Sequence, residues 1–251
     1  MKVALVTGSV TGIGLAAAQA LHADGFRVVV HSTRNRQEIP SGAEAFISSS
    51  ADVDYVSGDF LDPTQPATVV AHAQELWGRL DCVVSNAAMP MHSDWLTLTA
   101  KQWDDVYAVN ARATLLLSQA AAPHLIASQG NIVVVSSTNA LRVNKKNLAY
   151  DSSKAALNHL ARSLALELRD HKVRVNVVMP GGVNTPMLHD WLVDYAGGAD
   201  QALTTLRESQ ESGVVAEPTE IAEVIAFLAS EKARWVTGAA IIADGGVFLS
   251  G

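Results

Sequence analysis

Short runs of β-branched residues punctuate the chain, at Val3–Val6, Arg27–Val30, Val53–Val56, Cys82–Val84, Ile132–Val135, Val173–Val178 and Ala239–Ile242. Between them apolar residues recur at spacings of three and four, as in Ile13, Ala16, Ala17, Ala20 and Leu21. The short runs are continuously apolar, the pattern of strands covered on both faces. The longer stretches read as the helices that cover them. This alternation predicts an α/β fold, a doubly wound, seven-stranded parallel sheet with helices on both faces. No shift of composition separates a second unit, so residues 1–251 read as one domain.

Three segments break the alternation. Residues 35–52 are rich in Ser, Ala and Gly and read as a surface connection after the second strand. Residues 138–149 are polar, with Arg142, Lys145 and Lys146. Residues 182–216 carry Pro186 and Gly197–Gly198 within weakly helical sequence, and an excursion of that length reads as a substrate-binding lid. Met187, Leu188, Trp191 and Leu192 give it an apolar patch, suited to packing inward or to capping an apolar substrate. No repeat of fixed period appears.

Composition narrows the functional classes. The chain is 49% apolar and 17% charged, enough to bury a sizeable core and too apolar for disorder over most of its length. Its 18 basic against 25 acidic residues give a net charge of −7, which disfavours nucleic acid or an anionic membrane as partner. No apolar run is long enough to span a membrane. The strand Val3–Val6 leads straight into a glycine loop, leaving no place for a cleavable signal. One cysteine, Cys82, allows no internal disulfide and suits a reducing, cytoplasmic setting. Eight histidines lack ligand spacing, so no metal site is expected.

The first candidate chemistry follows the first strand, at Thr7-Gly8-Ser9-Val10-Thr11-Gly12-Ile13-Gly14. Gly8 permits a tight strand-to-helix turn. Gly12 lets backbone N–H groups approach a pyrophosphate, and Gly14 lets the helix pack closely on the strand. The helix N-terminus then offers unpaired donors and the positive end of its dipole to an anion. Lying between a strand and a helix in the first unit of an alternating chain, the loop reads as a dinucleotide cradle, with Thr11 and Ile13 in its span.

Units that bind NAD place an acid at the end of the second strand, about 20 residues on, to hold the ribose hydroxyls. This chain has His31-Ser32-Thr33-Arg34-Asn35-Arg36 there, with no acid before Glu38. A guanidinium binds the 2′-phosphate of NADP through paired hydrogen bonds, whereas a carboxylate would repel it. Arg34, with Ser32 and Thr33 as hydroxyl donors, therefore favours NADP(H), and NAD(H) stays open.

The second chemistry lies at Tyr150-Asp151-Ser152-Ser153-Lys154, thirteen residues after a strand that ends in Ser136-Ser137. Tyr150 and Lys154 are four apart and share one helix face. A free phenol has a pKa near ~10, too high for proton exchange at neutral pH. An ammonium about 5 Å away, at an effective dielectric of roughly 20, stabilises phenolate by ~3 kcal/mol, enough to bring it into range. A tuned tyrosine can then give a proton to a carbonyl oxygen or take one from an alcohol.

Together these motifs resemble the short-chain dehydrogenase/reductase family. Thr-Gly-x-x-x-Gly-Ile-Gly and Tyr-x-x-x-Lys carry the resemblance, which spans Val3 to Gly246. It implies a Rossmann-type fold and gives meaning to further segments. Asp59, with Phe60 beside it, matches the residue this family uses beside the adenine. Asn86-Ala87-Ala88 is similar to its Asn-Ala-Gly motif, with Ala88 in place of glycine. Asn110 matches the helix asparagine that holds a proton-relay water. Pro180-Gly181-Gly182-Val183-Asn184-Thr185 is similar to the segment lining the nicotinamide, with Pro180, Gly181, Val183 and Thr185 as contacts, and Asp244-Gly245-Gly246 to the C-terminal turn.

The resemblance implies hydride transfer between nicotinamide C4 and a carbonyl or secondary alcohol carbon. Tyr150 would be the acid or base, Lys154 would lower its pKa and contact the ribose, Ser137 would orient the carbonyl, and Asn110 would support the relay. Ser136 is passed over, because adjacent strand residues face opposite ways and the thirteen-residue spacing favours Ser137. By the same resemblance His31 falls at the adenosine end, and His92 and His189 near the substrate mouth. Enoyl reduction is disfavoured, since the divergent reductases that perform it place six residues between Tyr and Lys. A catalytically silent NAD(P)-binding sensor and an NAD-preferring alcohol dehydrogenase are the alternatives. Helices around 100–128 and 154–169 carry apolar surface of the kind family members use to form dimers and tetramers, so a homo-oligomer is expected. The partner is otherwise a small carbonyl or alcohol substrate.

Overall fold

The apolar runs become strands because β-branched side chains pack well on both faces of a pleated sheet. In the computed structural model, which describes residues 1–196, 204–205, 208 and 215–250, the strands are β1 (Val3–Val6), β2 (Arg27–Ser32), β3 (Val53–Ser57), β4 (Cys82–Ser85), β5 (Asn131–Val135), β6 (Arg174–Pro180), β7 (Gly182–Val183), β8 (Val215–Ala216) and β9 (Ala240–Ala243). Seven of them form one parallel sheet in the order β3-β2-β1-β4-β5-β6-β9, and β7 pairs separately with β8. Val3 pairs with Arg27 on one side of β1, and Ala4 with Cys82 on the other. The helices are α1 (Gly12–Ala23), α2 (Ser41–Ser48), α3 (Gln65–Trp77), α4 (Ala100–Tyr107), α5 (Ala113–Ser128), α6 (Leu148–Leu168), α7 (Pro186–Ala196) and α8 (Pro218–Ala229).

The two-residue period of each strand sorts its side chains into two cores. Ala4, Val6, Val28, Val30, Val84 and Val133 face one layer, where Ala17 and Leu21 of α1 meet Ile225 and Leu228 of α8. Val3, Leu5, Val29, Val83, Ile132 and Val134 face the other, against Val69 of α3, Leu117 and Leu125 of α5 and Leu157 of α6. A sheet covered on both sides explains why its strands read as unbroken apolar runs.

The structure extends or shifts most of the predicted strands by one or two residues and adds elements in the irregular segments. Residues 35–52 contain a 3₁₀ turn, Arg36–Glu38, and α2, which buries Ala43 and Ile47 and packs the partly buried Phe46 against the core. Residues 138–149 contain the 3₁₀ turn Thr138–Ala140 and the start of α6. Residues 182–216 contain β7, α7 and β8, and residues 197–203, 206–207 and 209–214 lie outside the described ones.

The strand order reverses between β1 and β4, which opens a crevice at their carboxyl ends, where open α/β sheets bind ligands. Cys82 is buried away from that crevice, its thiol pointing to Asn131 Oδ1 at 3.4 Å and pushed up to about 12 by desolvation. Among the described residues no helix is long and apolar enough to cross a membrane, and no three His, Cys, Asp or Glu side chains converge to hold a metal.

Candidate active site

The crevice begins with the turn from β1 into α1. Asn86, just past β4, donates its Nδ2 to the Thr7 and Gly8 carbonyl oxygens, each at 3.0 Å. Thr7 Oγ1 accepts from the Asn86 and Ala87 amides at 3.0 and 3.1 Å, so the loops after β1 and β4 are stitched together. Gly12 has φ +53°, and a Cβ there would lie 2.9 Å from Thr185 Cγ2 across the crevice. A Cβ on Gly14 would lie 2.3 Å from the Gly8 carbonyl oxygen. Thr11 caps α1 with backbone alone, its hydroxyl making no cap bond, so side chains do not fill the donor-rich first turn.

His31 braces this loop. The Gly8 amide donates to its Nδ1 at 3.2 Å, and its Nε2–H donates to the Gly58 carbonyl at 3.0 Å. The ring stacks on Phe60 with centroids 4.5 Å apart. Desolvation lowers its pKa to about 4, so the imidazole is neutral and its tautomer is set by the two bonds.

At the far end of the crevice, Ser32 turns inward. Its Oγ accepts from the Arg34 amide at 3.1 Å and is bonded to Tyr55 Oη at 2.8 Å, while Tyr55 donates onward to the Arg34 carbonyl. Thr33 and Arg34 are exposed, and among the described residues the guanidinium bonds only to the Glu38 carbonyl, at 3.3 Å. Asp59 uses Oδ1 to accept the Leu61 amide at 3.0 Å. The glycine loop, His31 to Arg34, Asp59, Phe60, Asn86, Ala87, Tyr150, Lys154 and Thr185 all line one cavity of about 510 Å³.

Tyr150 and Lys154 lie one turn apart on α6, with Lys154 Nζ 5.5 Å from the phenol ring centre. Lys154 is 2% exposed and donates to the Val135 carbonyl at 3.0 Å, and desolvation lowers its pKa to about 8. The Tyr150 phenol goes the opposite way, pushed up to about 12 by desolvation and then by the Asp151 charge, against a hydrogen bond from Ser137. Burial therefore outweighs the ammonium: the tyrosine holds its proton firmly. Ser137 Oγ accepts the Asn139 amide at 3.1 Å, which leaves its own hydrogen for the phenol oxygen. Ser136 donates instead to the Lys154 carbonyl at 3.2 Å, so the adjacent serines do separate jobs.

Asn110 sits in a single π-helical turn, Ala108–Arg112, that joins α4 to α5. Its Oδ1 accepts the Met89 amide at 2.7 Å, and its Nδ2 donates to the Met89 carbonyl at 3.1 Å and Ser153 Oγ at 2.9 Å. The side chain is thus spent on the loop after β4, and its neighbour Val109 lines the cavity instead.

Pro180, Gly181, Val183 and Thr185 line a second cavity of about 290 Å³, together with Ser137, Asn139, Asn144, Asn147, Met187, Leu188 and Trp191. Tyr150 and Thr185 belong to both cavities, so the phenol stands at their junction. His189 is held by Asn184 Oδ1 at 2.9 Å and lines neither. The sequence reading missed the asparagines; their clustering at 139, 144 and 147, with an acid at 151, is the only signal they left.

The parallel sheet with its strand-order reversal agrees with the comparisons to known proteins. A family model described as enoyl-(acyl carrier protein) reductase, of the short-chain dehydrogenase type, matches residues 8–248. The chain belongs to the short-chain dehydrogenase/reductase family. An uncharacterized oxidoreductase of Methylorubrum extorquens is 37% identical over 246 residues, covering 98% of this chain and 97% of the relative. Versicolorin reductase 1 of Aspergillus parasiticus is 32% identical over 257 residues, covering 98% and 96%. The crystal structure of levodione reductase superimposes with a TM-score of 0.91 at 26% identity, covering 100% of this chain and 98% of that one. As a short-chain dehydrogenase/reductase the chain is an oxidoreductase, and members of the family bind NAD or NADP.

Proposed function

We propose that the protein is an NADP(H)-dependent carbonyl reductase or alcohol dehydrogenase, with Tyr150 as its general acid and base. The observation that carries this reading is the Tyr150 phenol, bonded to Ser137 and one turn from Lys154, at the junction of a cofactor-sized and a substrate-sized cavity. The residues fit a dinucleotide: a Cβ at Gly12 or Gly14 would fill the cradle, and the first turn of α1 leaves donors for phosphate. Gly8, Thr11, Gly12, Ile13 and Gly14 hold the pyrophosphate in this reading, Asp59 and Phe60 the adenine, and Asn86, Ala87, Pro180, Gly181, Val183 and Thr185 the nicotinamide half. Thr33 and the exposed Arg34 guanidinium take the 2′-phosphate, beside a Ser32 whose hydroxyl is already used to shape the turn.

The nicotinamide, when bound, supplies or accepts a hydride. Tyr150 donates its proton to the carbonyl oxygen as negative charge develops there, and Ser137 donates a second hydrogen bond to the same atom. Lys154, charged below about pH 8, stabilises the phenolate that remains. Asn110 acts through Met89 and Ser153, holding the loop after β4 in place for these steps. The α7 segment serves as a lid over the substrate cavity. A homo-oligomer, dimer or tetramer, accords with the bare Trp235 (97% exposed) and Leu166 (63%), and a cytoplasmic setting accords with the lone cysteine.

The test follows NADPH and NADH oxidation across a panel of ketones and one enoyl thioester, with the two cofactors titrated against wild type and Arg34→Ala. Ketone turnover is expected with NADPH, and Arg34→Ala should weaken NADPH binding by about 10- to 100-fold while leaving NADH within about threefold. Tighter NADH binding, unaffected by Arg34→Ala, overturns the choice of cofactor. Turnover of the thioester alone would favour the reaction named in the family model's description.

A further inference from the structure

One wall of the substrate cavity is made of amides. Asn139, Asn144 and Asn147 line it, and behind them on α6 lies Asp151, 8% exposed and in neither cavity. Asp151 Oδ1 accepts Asn139 Nδ2 at 2.9 Å and Asn147 Nδ2 at 2.8 Å, while Oδ2 accepts the Asn144 backbone amide at 2.9 Å. A carboxylate has acceptors only. It therefore fixes the sense of both side-chain amides, nitrogen towards Asp151 and oxygen away from it. Both residues line the cavity while their nitrogens are held by Asp151, which leaves the amide oxygens as the groups turned from Asp151. The facing wall is Pro90, Met187, Leu188 and Trp191, and none of the described lining residues carries a charge.

We propose that this cavity is a subsite for a neutral ring ketone bearing hydroxyl groups, whose hydrogens are donated to the amide oxygens of Asn139 and Asn147. The ring lies against Leu188 and Trp191, and Asp151 is the positioning residue that sets the polarity of the wall. The proposal rests on the carbonyl-reductase reading for its reacting group, while the hydroxyl recognition is a property of binding alone. A methyl ether keeps the oxygen and the ring but loses the donor, so two acceptors facing it would be left unpaired.

The experiment measures calorimetric binding to the cofactor-loaded protein of two non-reducible pairs. One pair is dihydroxynaphthalene and its dimethyl ether, for phenolic hydroxyls; the other is cyclohexanediol and its dimethyl ether, for aliphatic ones. In at least one pair the hydroxyl compound should bind about tenfold tighter than the ether or more, and that pair identifies the source of the hydroxyl. In Asp151→Asn, whose amide can donate and so frees both asparagines to turn, the ratio should fall below about threefold. Asn139→Leu, at a half-buried position that leaves the carboxylate in place, should lower it in the same sense and decides the matter if Asp151→Asn does not fold. Ethers that bind as well as the hydroxyl compounds in both pairs, or a ratio unchanged in the variants, overturn the proposal. Ketone turnover is followed in parallel: a hydroxyl preference without turnover would sink the reductase reading and leave the subsite standing, and turnover without the preference would do the reverse.

Discussion

Burial sets the protonation states on which the chemistry depends. Tyr150 and Lys154 share a helix face, as the four-residue spacing requires, yet desolvation pushes the phenol up to about 12 and the ammonium down to about 8. Their spacing and the position of Ser137 were legible in the sequence, because a single helical turn and one strand end fix them. The direction of the tyrosine shift was not, since it depends on how much protein surrounds both groups and on the Asp151 charge beside the phenol. One consequence is a pH profile. As pH rises through about 8, Lys154 loses its proton while Tyr150 keeps its own, so the phenolate left by proton donation loses its counter-charge. The kcat/KM for ketone reduction should therefore fall above about pH 8, by about tenfold per pH unit once Lys154 is largely neutral. A profile that stays level to about pH 10 would contradict the role given to Lys154.

The unit β1–α1–β4 carries the cofactor cradle, and its geometry leaves little slack. A methyl group on Gly14 would meet the Gly8 carbonyl oxygen at 2.3 Å and Asn86 Nδ2 at 2.6 Å, the second of these being the bond donor that stitches the two loops together. Gly14→Ala should cost about 1–3 kcal/mol in stability and weaken NADPH binding by more than tenfold, read from denaturant midpoints and a fluorescence titration. Unchanged midpoint and affinity would show that the loop can yield. The glycines and strands of this unit were plain in the sequence because the fully buried strands have continuous apolar runs. Other elements left weaker traces. Helix α2 is two turns long and fully buries just Ala43 and Ile47, β7 and β8 are two residues each, and the π-helical turn that carries Asn110 has no periodicity of its own. Within that turn the Asn110 side chain clamps the backbone of Met89.

Across the whole molecule, one sheet buried on both faces accounts for the high apolar fraction, and its strand reversal puts the two cavities side by side. The net charge of −7 says little about the ligand, because in the proposed reading an anion would be met locally by backbone donors of the α1 turn and by Arg34. Family and fold were legible over nearly the full chain, whereas the substrate wall was not, since an amide's orientation depends on a carboxylate placed by tertiary structure. The central claim is that Tyr150 transfers the proton in a ketone reduction that uses NADPH. The most direct measurement compares wild type with Tyr150→Phe for NADPH affinity and for turnover of the same ketone. The account predicts cofactor affinity within about threefold and a turnover lower by about 10²–10⁴-fold. Equal turnover by the two proteins would contradict it.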